Sequence, residues 1–125
     1  TLPASSGALA FIFGVMGFAL AYIPFNADAK YKAANLTGNL TNIIKAVELP
    51  GTSGWHISQA LNVAIVNNFS DQAKTLDNSM LTKYPRDIYG WKMLYYMTSS
   101  TPEEKQAAFA KLIEMDPFNP ENPKS

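Results

Sequence analysis

Residues 8–25 read ALAFIFGVMGFALAYIPF, eighteen residues without a single charged, imidazole or amide side chain. As a helix rising about 1.5 Å per residue, such a run spans roughly 27 Å, close to the hydrocarbon thickness of a bilayer. Nine of its residues are Leu, Ile, Val or Phe. At about 0.3–0.6 kcal/mol each they favour insertion by roughly 3–5 kcal/mol before glycine and proline are set against them. Apolar residues occur all round the helix, so it has no polar face of the kind that rests on a membrane surface or flanks a soluble bundle. Ala10/Gly14 and Gly17/Ala21 are small residues at i, i+4, a spacing that lets neighbouring helices approach closely. Pro24 stands where it can end the helix without breaking its middle. The expectation is a transmembrane segment with its flank over 1–27.

Two other readings of this run are weaker. A buried core helix would need far more covering surface than a chain of 125 residues supplies. A signal peptide finds support in Ala27-Asp28-Ala29, which has the A-x-A form of a cleavage site. Against it, the run is long for a signal h-region and no basic n-region precedes it. The chain starts with Thr rather than Met, which is expected of a piece of a longer protein or of a processed chain.

Charge is unevenly spread. No Asp, Glu, Lys, Arg or His precedes Asp28, so all ten basic and ten acidic residues lie in 28–125. They cancel, and no basic excess points to nucleic acid as a partner. The absence of cysteine removes disulfide frameworks and Cys-based zinc sites. Lys30 and Lys32 just after the run favour a cytoplasmic side. The loop before the run is needed for the comparison, so the side on which the soluble part lies stays open.

From Asn26 onward, helical patterns alternate with short breakers, and no segment keeps period-2 alternation. Residues 28–35 predict a short helix closed by the Thr37-Gly38 turn. Asn39 can cap a helix carrying Leu40, Ile43, Ile44 and Val47, and Pro50-Gly51-Thr52-Ser53-Gly54 breaks the chain. Residues 55–67 place Ile57, Ala60, Leu61, Ala64 and Ile65 on one stripe. Ser70 is the expected cap of 71–83, whose Ala73, Leu76 and Met80 face inward before Tyr84-Pro85 ends it. Asp87 caps a helix carrying Ile88, Trp91, Leu94 and Tyr95. Thr101-Pro102-Glu103-Glu104 is the clearest start signal, with Thr at N-cap, Pro at N1 and Glu at N3. The helix that follows buries Ala108, Phe109 and Leu112, with Ile113 and Met115 as further candidates, and stops at Asp116-Pro117. The tail 118–125 is expected to be extended.

The helices also repeat. Tyr84-Pro85 and Asp116-Pro117 lie 32 residues apart, and Met80-Leu81 matches Leu112-Ile113 at the same offset. The unit is a helical hairpin of tetratricopeptide length. Trp91, Leu94 and Ala107 keep that pattern's spacing, while the first unit has Trp55 but Ser58 where Leu is expected. The fold class predicted is all-α. It comprises one transmembrane helix, connecting helices and a turn over 28–54, and two tetratricopeptide-like hairpins over 55–117. An array this short leans on another part of its protein.

Candidates for chemistry are few. His56 is the only histidine and reads as a capping or surface residue; neither a second His nor a Cys can complete a zinc site. Glu103, Glu104, Asp71, Asp87 and Asp116 sit at helix ends, where the dipole accounts for them. Ser5-Ser6 and Ser99-Ser100-Thr101 have no base partner, and no glycine loop cradles phosphate. The expectation is no catalytic residue, no metal and no cofactor within this chain. Of the aromatic residues, Trp55, Trp91, Tyr89, Tyr95, Tyr96 and Phe109 read first as packing between helices. Tyr89, Tyr95 and Tyr96 are the candidate interaction groove, for an extended peptide or a sugar. Asn35-Leu36-Thr37, Asn39-Leu40-Thr41 and Asn68-Phe69-Ser70 match the glycosylation sequon, and turn and cap chemistry explains each equally well.

The order of these motifs carries a resemblance. A membrane span leads into Ala27-Asp28-Ala29-Lys30-Tyr31, a helix ending at Pro50, a hairpin ending Tyr84-Pro85, and then Gly90-Trp91-Lys92-Met93-Leu94. Thr101-Pro102-Glu103-Glu104-Lys105-Gln106-Ala107-Ala108 leads to Met115-Asp116-Pro117-Phe118-Asn119-Pro120. Over nearly its whole length the chain resembles the C-terminal end of bacterial O-antigen ligase/polymerase-family membrane proteins. Some of these close a short tetratricopeptide-like tail on an "LDP-x-NP" phrase, with Leu where Met115 stands here. The resemblance implies a polytopic parent in the bacterial inner membrane that moves glycan from a polyprenyl-diphosphate carrier to an acceptor. It implies that the essential basic residues lie in an external loop between earlier spans, so none is carried over to this chain. Implied partners are the membrane, other transmembrane helices of the parent, and a protein or glycan at the repeats. The alternative is a stand-alone tetratricopeptide adaptor, tethered by one span or exported. A small accessory subunit of a membrane complex is a third reading.

Overall fold

The computed structural model describes residues 4–124 and contains, among them, six α-helices and no strand. The helices are α1 (Ala4–Thr37), α2 (Leu40–Val47), α3 (Gly54–Val66), α4 (Ser70–Lys83), α5 (Ile88–Tyr96) and α6 (Pro102–Met115). The chain divides into two compact units after Ser53.

In the first unit, α1 is a single helix of 34 residues, about 51 Å long at 1.5 Å per residue. Its N-terminal two thirds are bare: the large apolar side chains from Leu9 to Phe25 are exposed, Phe11 at 73%. It is one helix long and apolar enough to cross a membrane. Pro24 does not end it, contrary to the sequence expectation, and 28–35 is no separate helix. The proline ring removes one backbone donor, but the next turns are held from outside. Ala27, Tyr31 and Ala34, spaced i, i+4 and i+7, form a buried stripe, and α2 packs on α1 with its own buried face of Ile43, Ala46 and Val47. Tertiary packing thus carries the helix past the proline.

Thr37 ends α1, its hydroxyl donating to the Ala34 carbonyl at 2.6 Å, and Gly38 follows with φ +63°. Asn39 caps α2 as read, accepting from the Asn42 N–H at 3.2 Å. After α2 the chain turns through Gly51, which has φ +82°. A Cβ there would lie 2.6 Å from Ile23 Cγ2 and 3.0 Å from the Pro24 nitrogen. Only glycine fits, on both backbone and steric grounds. The turn is therefore seated against the end of the apolar stretch of α1.

In the second unit α3 packs on α4, α4 on α5 and α5 on α6. Ile57, Ala60, Leu61 and Ala64 of α3 are buried as their spacing requires, with Ala73, Leu76, Met80 and Leu81 of α4. Ala60, Ala64, Ala73 and Ala108 are small enough to let the helices meet closely, and Leu81, Leu94 and Ala108 form a cluster flanked by Trp91 and Tyr95. Ser70 does not cap α4: Phe69 holds the N-cap position without a side-chain bond. The reason lies in the end of α3. Asn68 adopts φ 60°, its N–H bonds the Ile65 carbonyl, and the Phe69 N–H bonds the Ala64 carbonyl at 2.9 Å. This double bond pattern with a left-handed residue is a Schellman close, and it commits Phe69 to the junction. The capping box of α6 is complete as read, with the Thr101 hydroxyl accepting from the Glu104 N–H and the Glu104 carboxylate from the Thr101 N–H.

Three further expectations are corrected. His56 is buried, not at the surface, because it precedes Ile57 and stands four residues before Ala60 on the packed side of α3. The tail is turned rather than extended. The Asn119 N–H returns to the Asp116 carbonyl, the Asn122 N–H to Asn119, and the Asn122 side-chain amide to the Asp116 carbonyl at 2.6 Å. Ile113, a candidate for burial, is 37% exposed, and Ser125 lies outside the described residues.

Candidate functional site

The three tyrosines lie on α5 but do not share one surface. Tyr89 and Tyr96 are seven residues apart, almost two full turns, and so stand on one face. Tyr89 is half-buried, close enough to Asp77 and Asp87 that both carboxylates, after burial itself, raise its phenol above the ordinary value. Tyr96 is 58% exposed. It lines a small cleft of about 200 Å³ with Asn68, Ser70, Thr98 and Ser99. Tyr95 packs towards α6. Its ring is half-buried 6.4 Å from that of Phe109 and meets Tyr96 edge-on at 5.0 Å. Tyr95 is a packing residue, and Tyr96 is the only one of the three with a largely open surface.

The residue that sequence reading missed is Asp77. It is fully buried in α4, and neither carboxylate oxygen has a hydrogen-bond partner. Burial pushes its pKa up to about 7, and the nearby Asp87 carboxylate adds to the rise. Asp87 is itself occupied, its Oδ1 accepting from the Gly90 N–H at 2.7 Å as the cap of α5. The signal was present: Asp77 stands four residues after Ala73 and three before Met80, on the inward stripe. An ionised carboxylate there costs stability, and no open surface reaches it. No group of three or more His, Cys, Asp or Glu among the described residues is placed to hold a metal.

A larger open cleft, about 590 Å³, lies where the start of α3 meets the end of α4 and the turn into α5. Its walls are Gly54, Trp55, Tyr84 and Pro85 with the charged Lys83, Arg86 and Asp87. Trp55 is 64% exposed and Tyr84 also faces outward. Gly54 lies against the Tyr84 ring so closely that a Cβ would meet Cε2 at 2.8 Å. The glycine is needed for that approach, since its backbone is ordinary helix. The turn is fixed internally. The Tyr84 N–H bonds the Met80 carbonyl, the Asp87 N–H bonds the Tyr84 carbonyl, and the Trp91 indole N–H bonds the Pro85 carbonyl at 2.9 Å. What the cleft offers a ligand is therefore aromatic surface and charges of both signs, not backbone pairing.

Elsewhere, ion pairs tie the second unit together. Lys74 bonds Glu104 at 2.8 Å and the Ser99 carbonyl at 3.2 Å, and Lys92 meets Glu121 at 2.7 Å. The Lys74 bond, with that from the Thr101 N–H, holds the Glu104 carboxyl below the usual range. These contacts build a scaffold rather than a reactive centre. No protein-family model, no curated protein and no solved structure matches the chain.

Proposed function

We propose that the chain is a non-catalytic, membrane-anchored C-terminal module of a polytopic glycosyltransferase of the O-antigen ligase/polymerase type, with tetratricopeptide-like hairpins α3–α4 and α5–α6 as its docking or stabilising part. The observation that supports this reading best is the single α1 helix. Its bare apolar stretch calls for lipid or other membrane helices, and its last turns are built into a packed α1–α2 unit. The family in this reading rests on the resemblance of the motif order from Ala27 to Pro120 alone.

A signal-peptide role fits α1 less well. Ala27, in the cleavage-like triplet, is 1% exposed on the packed stripe, and Tyr31 and Ala34 continue that stripe. Cutting after Ala29 would remove part of a folded core. The gene sequence upstream of the Thr1 codon tests the proposal. A series of further hydrophobic spans with a large polar loop is expected; a start codon immediately before Thr1 refutes it. A mature protein that begins at Lys30 would select the exported adaptor instead.

A further inference from the structure

We infer that the seam between α4 and α5 is a proton-controlled latch: with Asp77 neutral the hairpins α3–α4 and α5–α6 stay packed, and with Asp77 ionised they part while each hairpin keeps its own contacts. The inference concerns the second unit alone and does not depend on the role of α1. Lys74, Asp77 and Leu81 stand at i, i+3 and i+7, so they run along one face of α4. At one end of this face Lys74 reaches across to Glu104 and to the Ser99 carbonyl. At the other end Leu81 and its neighbour Met80 meet α5 closely. A Cβ on Gly90 would lie 2.8 Å from Leu81 Cδ2 and 3.0 Å from Met80 Cε. Between these two contacts stands Asp77, 0% exposed, with neither carboxylate oxygen partnered.

A neutral carboxyl tolerates that place far better than a carboxylate, which gives up its water there for no new bond. The groups around it do not offset the loss. On α5, Asp87 has the same sign as an ionised Asp77, and Tyr89 is a phenol kept protonated by burial and by both carboxylates. On α4 itself Lys74 is bonded to Glu104. On α3 the one titratable residue is His56, whose ring lies against Trp55. Parting the hairpins hydrates the carboxylate without unfolding them, because each has contacts of its own. Ile57, Leu61 and Ala64 are buried with Ala73 and Leu76 inside α3–α4, and Tyr95 packs on Phe109 inside α5–α6. The seam is therefore closed at low pH and opens as pH rises through about 7, where the carboxyl ionises.

The chain contains no cysteine, so a single introduced thiol reports one place. Leu81→Cys and Met80→Cys report the seam; Ala64→Cys, fully buried in α3, reports the interior of α3–α4. Each is made in the full chain, held in a mild detergent, with and without Asp77→Asn, and labelled by an uncharged disulfide reagent at pH 6 and pH 8. Dividing each rate by that of the same cysteine with Asp77→Asn removes the pH dependence of the thiol and the reagent. With a carboxyl at 3.8 in the open seam and about 7 in the closed one, this ratio should rise about tenfold from pH 6 to pH 8 at both seam cysteines. At Ala64→Cys it should stay nearly constant. A flat ratio at the seam overturns the inference. An equal rise at Ala64→Cys overturns it too, because Asp77 then acts by unfolding the whole unit. Tryptic cleavage after Lys83 and Arg86, in the link between the hairpins, gives a second reading in the cysteine-free chain. Its ratio to Asp77→Asn should rise several-fold over the same interval, and a ratio that does not rise overturns the latch even where a cysteine has itself loosened the seam.

Discussion

Asp77 makes the stability of the helical unit depend on pH in an unusual direction. An unfolded chain leaves this carboxyl near its ordinary value of 3.8, while the folded protein raises it to about 7. Between those values the folded state binds the extra proton, so stability is fully present below pH 3.8 and falls as pH rises towards 7. At about 1.4 kcal/mol per decade of proton concentration the loss is on the order of 4 kcal/mol, of which about 3 kcal/mol falls between pH 5 and 7. That window lies above the range in which Glu104, Glu114 and Glu121 titrate, since their hydrogen bonds to Lys74, Lys111 and Lys92 lower them. Asp77→Asn keeps the shape and cannot ionise. Urea unfolding in a mild detergent, followed by Trp fluorescence and circular dichroism, is the assay. Subtracting the variant from the parent removes every other titrating group. The two proteins should unfold at similar urea concentrations at pH 4.5. At pH 8 the variant should be the more stable, with a midpoint higher by roughly 2 M for a slope of about 2 kcal/mol/M. A parent no less stable at pH 8 than at pH 5, or a variant with the same pH dependence, refutes the reasoning.

Three further changes test the packing. Gly51→Ala forces a side chain into the left-handed region and against Ile23, and should destabilise the α1–α2 unit by about 2 kcal/mol or more, read as faster proteolysis of the Pro50–Ser53 turn. Leu61→Ala empties a fully buried position in α3 and should cost about 2–5 kcal/mol in urea unfolding. Thr101→Ala breaks the capping box of α6 and should cost about 1 kcal/mol in the same measurement, with hydrogen exchange rising first at the amides of Glu103 and Glu104.

Much of the helical layout was legible because its signals are local. Thr101-Pro102-Glu103-Glu104 states a helix start within four residues, Asp87 does so alone, and the apolar period of α3 names its buried face. The misses share a cause, which is that hydrogen bonds and packing, rather than the local motif, decide. Pro24 looks like a terminator until α2 supplies the packing that carries α1 onward. Ser70 looks like a cap until the close of α3 claims Phe69 for that position. The tail looks extended because its prolines are visible and its bonds to Asp116 are not. Asp77 is hard to read because carboxylates belong at helix ends or in water, although its place between Ala73 and Met80 puts it on the buried stripe. The α3–α4 cleft could not be read at all, since it depends on Gly54 meeting the Tyr84 ring thirty residues away. For Tyr89, Tyr95 and Tyr96 the helix was legible, but the sequence did not say which face of α5 meets α4 and which meets α6.

On the proposed reading, α1 stays in the protein as a membrane span continuous with the packed α1–α2 unit beyond it. Alkaline carbonate extraction of membranes from producing cells, followed by intact mass measurement of the chain, tests this most directly. The expected result is a chain that remains in the membrane pellet with residues 1–29 attached; a soluble chain beginning at Lys30 contradicts it.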